Sequence, residues 1–161
     1  MSFLIRALAA EDLDRVLALA AGSEGPRWTR SDYEGILLAE PSDPLQRSGL
    51  VALSDGDLSG FALTSWLRPE TSAELEGVFV DRAYRRQGIG SALVAACIAW
   101  AANAGATTVR LEVRASNVAA LALYQRYGFS AAGIRRAYYS APLEDALLLQ
   151  APLFPEIPVP L

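Results

Sequence analysis

Between Val78 and Trp100 the chain reads VFVDRAYRRQGIGSALVAACIAW. An apolar run, V-F-V, gives way to Arg85, Arg86, Gly88 and Gly90, and then to a charge-free stretch. This seam predicts a strand ending at Val80, a glycine-opened turn and a buried helix from Ser91 to Asn103. The first N–H groups of a helix have no partner within it, and their partial positive charge attracts anions. Glycine lets a ligand approach the backbone closely, and Arg85 and Arg86 add formal charge. The plain alternative is a tight turn with solvated arginines. Two phosphate-binding patterns are excluded. No Gly-Lys follows to make a P-loop, and a dinucleotide fingerprint needs Gly or Ala where Leu93 stands.

The rest of the chain punctuates itself with caps and breakers. FLIRAL reads as a strand, and AAEDLDRVLALAAG as a helix with Leu13, Val16, Leu17 and Ala20 on one face. GSEGPR is a break, and TRSDYEGILLAEP a second helix capped by Thr29 or Ser31. SGLVALSDGDLSGFALTSWL is a hairpin around SDGD. SAELEGVFV is the strand that leads into the seam. In TTVRLEVRA, Val109, Leu111 and Val113 alternate with Arg110, Glu112 and Arg114, the pattern of a half-buried strand. Ser116 or Asn117 caps the short helix VAALALYQRY, and Gly128 ends it. IRRAYYS and DALLLQAPL close the fold as strands. The expected organisation is one domain over residues 1–153 and a proline-rich tail over 154–161. Strands and helices mix without strict alternation, so a sheet of mixed direction is expected.

Composition narrows the function. The 161 residues are 52% hydrophobic and carry a net charge of −4. That balance can bury a core and argues against nucleic acid as a partner, which would require a basic face. There is no histidine, which removes His-based catalytic pairs and His-rich metal sites; no metal is expected. The single cysteine, Cys97, cannot form an internal disulfide and sits at a core position; a cytoplasmic setting is expected. Gly88 to Val109 is long enough to cross a bilayer, but its alanines, Ser91, Asn103 and the NAGATT break fit a buried helix followed by a strand better. No membrane partner is expected.

The surviving pattern, R-x-x-G-x-G after V-x-V, resembles the acetyl-CoA pyrophosphate loop of the GNAT superfamily of N-acetyltransferases. LEVRASNVAALALYQRYGF, IRRAYY and EDALLL are similar to the C-terminal half of its RimI-type ribosomal-protein-alanine N-acetyltransferases, and PRWTRSDY to their Pro-Trp segment. The resemblance is strong from 74 to 150 and weak before about residue 70. It implies an α/β (α+β) fold with a mixed, mostly antiparallel sheet of about six to seven strands and about four helices. It also implies roles. The backbone of Val78, Phe79 and Val80 would hydrogen-bond the pantetheine arm as an added strand. Arg85, which opens the motif, and the run Arg86, Gln87, Gly88, Ile89, Gly90 and Ser91 would cradle the pyrophosphate, and Asn117 would touch the cofactor. Glu112 matches the general base and Tyr124 the general acid. Ala137 departs from the polar residue the family often has before its Tyr pair.

The implied reaction is attack of an amine on the acetyl-CoA thioester. The implied acceptor is a protein N-terminal α-amine, an alanine on a ribosomal protein. A small amine or antibiotic, a protein lysine, and a non-catalytic CoA-binding module are the alternatives. Glu74 and Glu76 are rival bases, sharing a strand face with Val78 and Val80 if no bulge intervenes. Arg110 and Arg114 flank Glu112 and would lower its pKa. Tyr124, as a phenol, is a weaker acid than a thiol and would serve better as a hydrogen-bond donor to the departing sulfur.

Overall fold

The computed structural model describes residues 2–22 and 28–153. Residues 23–27 of the expected break and the tail from Phe154 to Leu161 lie outside that range. The strands are β1 (Phe3–Ala7), β2 (Leu45–Ser54), β3 (Asp57–Leu67), β4 (Ser72–Val80), β5 (Thr108–Arg114), β6 (Ser130–Ser140) and β7 (Leu143–Pro152). The helices are α1 (Leu13–Ala21), α2 (Arg30–Leu38), α3 (Ile89–Ala104) and α4 (Val118–Arg126). The strands form one sheet in the order β1-β2-β3-β4-β5-β7-β6. Only β4 and β5 run parallel; the other pairs are antiparallel. The mixed sheet and the four helices agree with the expected architecture.

Local chemistry sets the boundaries. Asp55 and Gly56 both take positive φ, 51° and 87°, and make the two-residue turn of the β2–β3 hairpin. Of the two expected caps for α2, Thr29 is used: its hydroxyl accepts from the Asp32 N–H at 3.3 Å, and its own N–H donates to the Asp32 carboxylate at 2.6 Å. Helix α3 starts at Ile89, two residues before the expected Ser91, because Gly88 takes the left-handed cap conformation. No helix among the described residues is long and apolar enough to cross a membrane.

Each face of the sheet carries a core. One holds Leu93, Val94 and Cys97 of α3 and Tyr124 of α4 against Ala73, Leu75, Val109, Leu111 and Val113. The other packs Leu13, Val16 and Tyr33 against Val51, Phe61, Leu63 and Phe79. The Phe61 and Phe79 rings stack at 4.4 Å. Gly60 lets α3 lie close to the sheet: an added Cβ would sit 2.6 Å from the Phe79 carbonyl oxygen and 3.3 Å from both Ile89 and Leu93. The start of α1 is fixed to β1 by a paired charge. Two Arg6 nitrogens donate to the buried Asp12 carboxylate at 2.7 and 2.9 Å, and the Ala9 N–H donates at 2.8 Å.

Burial alone would raise the Asp12 pKa, but Arg6 and the Ala9 N–H outweigh it and hold the group below its usual value. The pair therefore stabilises the fold fully above about pH 4, the unfolded value, and the contribution is lost as pH falls through the lowered folded value. Urea unfolding of wild type and Asp12→Asn should differ most near neutral pH and converge towards about pH 2. Gly60→Ala should cost about 1–3 kcal/mol in the same assay, since it overpacks the α3 contact.

Candidate active site

The β4–β5 pair is bonded only at its start. Ser72, Ala73 and Glu74 face Thr108, Val109 and Arg110, and no pairing follows. Yet β4 continues to Val80 along β3, and β5 continues to Arg114 along β7. The two strands thus leave a gap in the middle of the sheet. The Asp81 N–H donates to the Ser59 carbonyl at 2.8 Å, so alternate residues back along β4, beginning with Phe79, also turn their amides to β3. Val78 and Val80, in the opposite phase, turn their main-chain groups to the gap. Phe79 offers it nothing; its ring lies in the α1–α2 core.

A turn closes the mouth of the gap. Asp81 accepts from the Ala83 N–H at 3.0 Å and pairs with Arg15. Arg86 and Gly88 take left-handed φ values of 63° and 83°. The first hydrogen bond of α3 runs from the Ala92 N–H to the Gly88 carbonyl at 3.0 Å. Gly88 has no side chain to cap the helix, and no acidic residue stands in its first turn. The N–H groups of Ile89, Gly90 and Ser91 therefore make a concave, positive surface, with Arg85 and Arg86 exposed beside it. The Ile89 side chain is buried and anchors the helix, so this residue contributes only its backbone. Gln87 Oε1 is buried here without a protein partner. Uncapped N–H groups, a first helical turn without acids and two exposed arginines fit a diphosphate.

Tyr127, which the sequence reading passed over, holds this turn from behind. Its hydroxyl donates to the Ser91 carbonyl at 2.8 Å, which leaves it to accept from Ser91 Oγ at 2.5 Å. Asn117 caps α4, its Oδ1 accepting from the Ala120 N–H at 3.1 Å. The β5–α4 loop is pinned by Glu144, which accepts from the Ser116 N–H at 2.6 Å, Ser116 Oγ at 2.9 Å and Arg114 at 3.2 Å.

The two expected catalytic side chains lie on opposite faces of β5. Leu111 and Val113 belong to the α3–α4 core, so Glu112 between them projects to the other side. There it meets Arg135 of β6 at 3.1 Å and lines a pocket of about 240 Å³ with Glu74, Arg110, Leu148 and Gln150. Glu74 pairs with Arg110 at 3.3 Å; burial nonetheless pushes its pKa up. The conditional reading of Glu74 and Glu76 is resolved by a bulge. Leu63 faces Gly77 but Thr64 faces Leu75, so Glu76 is the extra residue and the phase of β4 flips there. Glu74 therefore points away from the face of Val78 and Val80, and shares the Glu112 side. Glu76 accepts from Ser65 Oγ at 2.6 Å.

Tyr124 is buried on the α3–α4 side, edge-on to Phe129 at 5.6 Å. Burial first, then Cys97 and Tyr139, push its pKa up to about 12. Cys97 is buried in the core as expected, and burial raises its pKa to about 11. Between the two faces, β5 no longer pairs with β4 beyond Arg110. A larger open cleft of about 730 Å³ lies between α1 and the β2–β3 turn. It holds neither Glu112 nor Tyr124, and its two arginines are already paired as Arg6–Asp12 and Arg15–Asp81.

A mixed sheet split between two parallel strands, with an uncapped helix start at the mouth of the split, defines a class of acyl-CoA-dependent acyltransferases. The sequence model of the acetyltransferase (GNAT) family matches residues 8–129, and the chain belongs to this family. It is 43% identical over 101 residues to an Escherichia coli K12 protein named [ribosomal protein bS18]-alanine N-acetyltransferase, covering 62% of this chain and 67% of that one. It is 31% identical over 145 residues to a Bacillus subtilis protein provisionally given the same name, covering 90% and 92%. The crystal structure of the ribosomal-protein-S18-alanine N-acetyltransferase from Escherichia coli superposes with a TM-score of 0.79 at 29% identity, covering 99% of this chain and all of that one.

Tyr127→Phe deletes the hydroxyl that bonds Ser91 twice. It should lower unfolding free energy by about 1–2 kcal/mol, measured by urea denaturation, while leaving far-UV circular dichroism unchanged.

Proposed function

We propose that the chain transfers the acetyl group of acetyl-CoA to the α-amine of a protein N-terminus, in the manner of the RimI-type ribosomal-protein-alanine enzymes. The observation that carries the reaction is the gap between β4 and β5, with its uncapped turn. Val78 and Val80 would bond the pantetheine arm, and the turn from Arg85 to Ser91 the diphosphate. Bound there, acetyl-CoA supplies an activated thioester carbonyl. The choice of acceptor is supported by the named function of the 43% identical relative. The proposal includes a cytoplasmic setting, which suits a lone, buried thiol.

The acceptor face carries Glu74, Glu76 and Glu112, and suits a positively charged amine approaching from that side. An α-amine, with a pKa of about 7.7–8.0, is partly neutral at physiological pH. A lysine, at about 10.4, is almost wholly charged. A carboxylate base therefore suffices for an N-terminus. Glu112 is the proposed base, acting directly or through one water. Glu74 stands beside it, and Glu76 is engaged by Ser65.

Tyr124 approaches the gap from the other face. With its pKa near 12 it keeps its proton throughout the working range. Full transfer of that proton to a thiolate of pKa about 8.5 would be uphill by about 5 kcal/mol. Its proposed role is therefore to donate a hydrogen bond to the departing sulfur. A buried hydroxyl provides this at no reorganisation cost. Holding amine and thioester in line supplies the rest.

With labelled acetyl-CoA, an Ala-starting peptide should be acetylated at its α-amine and a blocked lysine peptide should not. Label only on a free amine drug or a lysine would overturn the acceptor assignment. Glu112→Gln should lower kcat by about 10²–10⁴ with little change in KM for acetyl-CoA. A larger loss in Glu74→Gln would move the base to Glu74. Tyr124→Phe should lower kcat by about 10–100-fold, and no alkaline limb from this phenol should appear below about pH 10.

A further inference from the structure

Strand β6 breaks its register opposite β7 twice, between Ala131 and Gly133 and, more widely, between Arg135 and Tyr139. Arg135 faces Ala146, but the next pair is Tyr139 with Glu144, so four steps on β6 oppose two on β7. Within the bulge, Ala137 has a φ of 52°, a left-handed conformation unfavourable to a residue with a Cβ. Its N–H, turned out of the ladder, donates to Asp145 Oδ1 at 2.8 Å.

The bulge aims the two tyrosines that follow. Tyr138 and Tyr139 meet edge to face at 5.1 Å. The Tyr138 ring lies under the Arg135 guanidinium at 5.7 Å, and the same guanidinium pairs with Glu112 at 3.1 Å, which brings ring and carboxylate together. The Tyr139 ring lies under Arg114 at 4.3 Å. Asp145 is also tied to the strand that carries Glu112, for its carbonyl accepts from the Ala115 N–H at 3.2 Å. The carboxylate that holds the bulge is thus itself braced three residues beyond Glu112.

We propose that Asp145 is a positioning residue: by accepting the Ala137 N–H it keeps Ala137 left-handed and so holds Tyr138 beside Glu112 on the acceptor side of the gap. Without that acceptor, Ala137 has no compensation for its conformation, and the segment relaxes towards a regular ladder. Turning Ala137 from left-handed to extended re-aims the residue that follows it, so Tyr138 leaves Glu112. What matters is an acceptor oxygen at that point, not its charge. Asparagine presents one and alanine does not.

This proposal rests on the acetyl-transfer reading for its kinetic arm only. In the full chain, with an Ala-starting peptide and acetyl-CoA as probes, Asp145→Ala should raise KM for the peptide about tenfold while KM for acetyl-CoA stays within twofold. Asp145→Asn should retain near wild-type values. Ala137→Gly, placed in the Asp145→Ala background, should recover part of the loss, because glycine takes the left-handed conformation unaided.

A second readout needs no turnover. The Tyr138 ring signal, assigned by its loss in Tyr138→Phe, should titrate above an ordinary phenol in wild type. Glu112 first, with burial and Glu76, favours the protonated form, and Arg135 opposes it. In Asp145→Ala that titration should move down towards an ordinary phenol, and in Asp145→Asn it should not. Equal damage from Asp145→Asn and Asp145→Ala, no rescue by Ala137→Gly, or an unmoved Tyr138 titration would overturn the proposal. A wild-type protein that acetylates no peptide but shows the Tyr138 shift would instead overturn the functional reading and leave the positioning role standing.

Discussion

Everything in the site depends on hydrogen bonds that β4 and β5 do not make. Parallel strands normally run on together, since an unpaired backbone edge inside a protein is costly. Here β4 follows β3 and β5 follows β7, and the pair parts after Glu74 and Arg110. Each strand is fully supported on its far side, so the gap is open without being loose. The main-chain groups of Val78 and Val80 face into it, the Val80 carbonyl accepting a long bond from Arg85 Nε at 3.4 Å. An extended ligand with alternating donors and acceptors satisfies such an edge as a strand would.

The gap also explains why two reactive side chains stand on opposite faces of a sheet. Where strands are paired, Glu112 and Tyr124 are separated by a backbone layer. Beyond the last pair that layer is interrupted, and the proposed reaction has the two meet there. The carboxylate side is polar and holds three glutamates with Arg110 and Arg135. The tyrosine side is apolar, which drives the phenol pKa up and fixes its proton. In the proposed reaction these two environments would serve as a proton acceptor on the amine's side and a lasting donor on the sulfur's side.

Much of this was legible in the sequence, for physical reasons. The seam from Val78 to Ser91 combines an apolar alternation, two arginines and two glycines, and each has a local structural meaning. The alternation around Glu112 sets it on the face opposite Leu111 and Val113. The bulge at Glu76 was not legible, because it arises from the register with β3 rather than from β4 itself. Tyr127 was missed for a similar reason: its partner, Ser91, is 36 residues away. A left-handed Ala137 gives no local signal at all, since alanine is the wrong residue for that conformation, and the bond from its N–H to Asp145 comes from the neighbouring strand. The true start of α3, two residues before Ser91, carries no side-chain signal because Gly88 caps by conformation.

The central claim is that coenzyme A completes the sheet at the gap. Hydrogen–deuterium exchange with and without coenzyme A reads this directly, amide by amide. Added coenzyme A should slow exchange at Val78, Val80 and the Gly88–Ser91 turn, and leave Phe79, already bonded to β3, unchanged. Protection that falls elsewhere, or exchange at Val78 and Val80 indifferent to the coenzyme, would contradict the account.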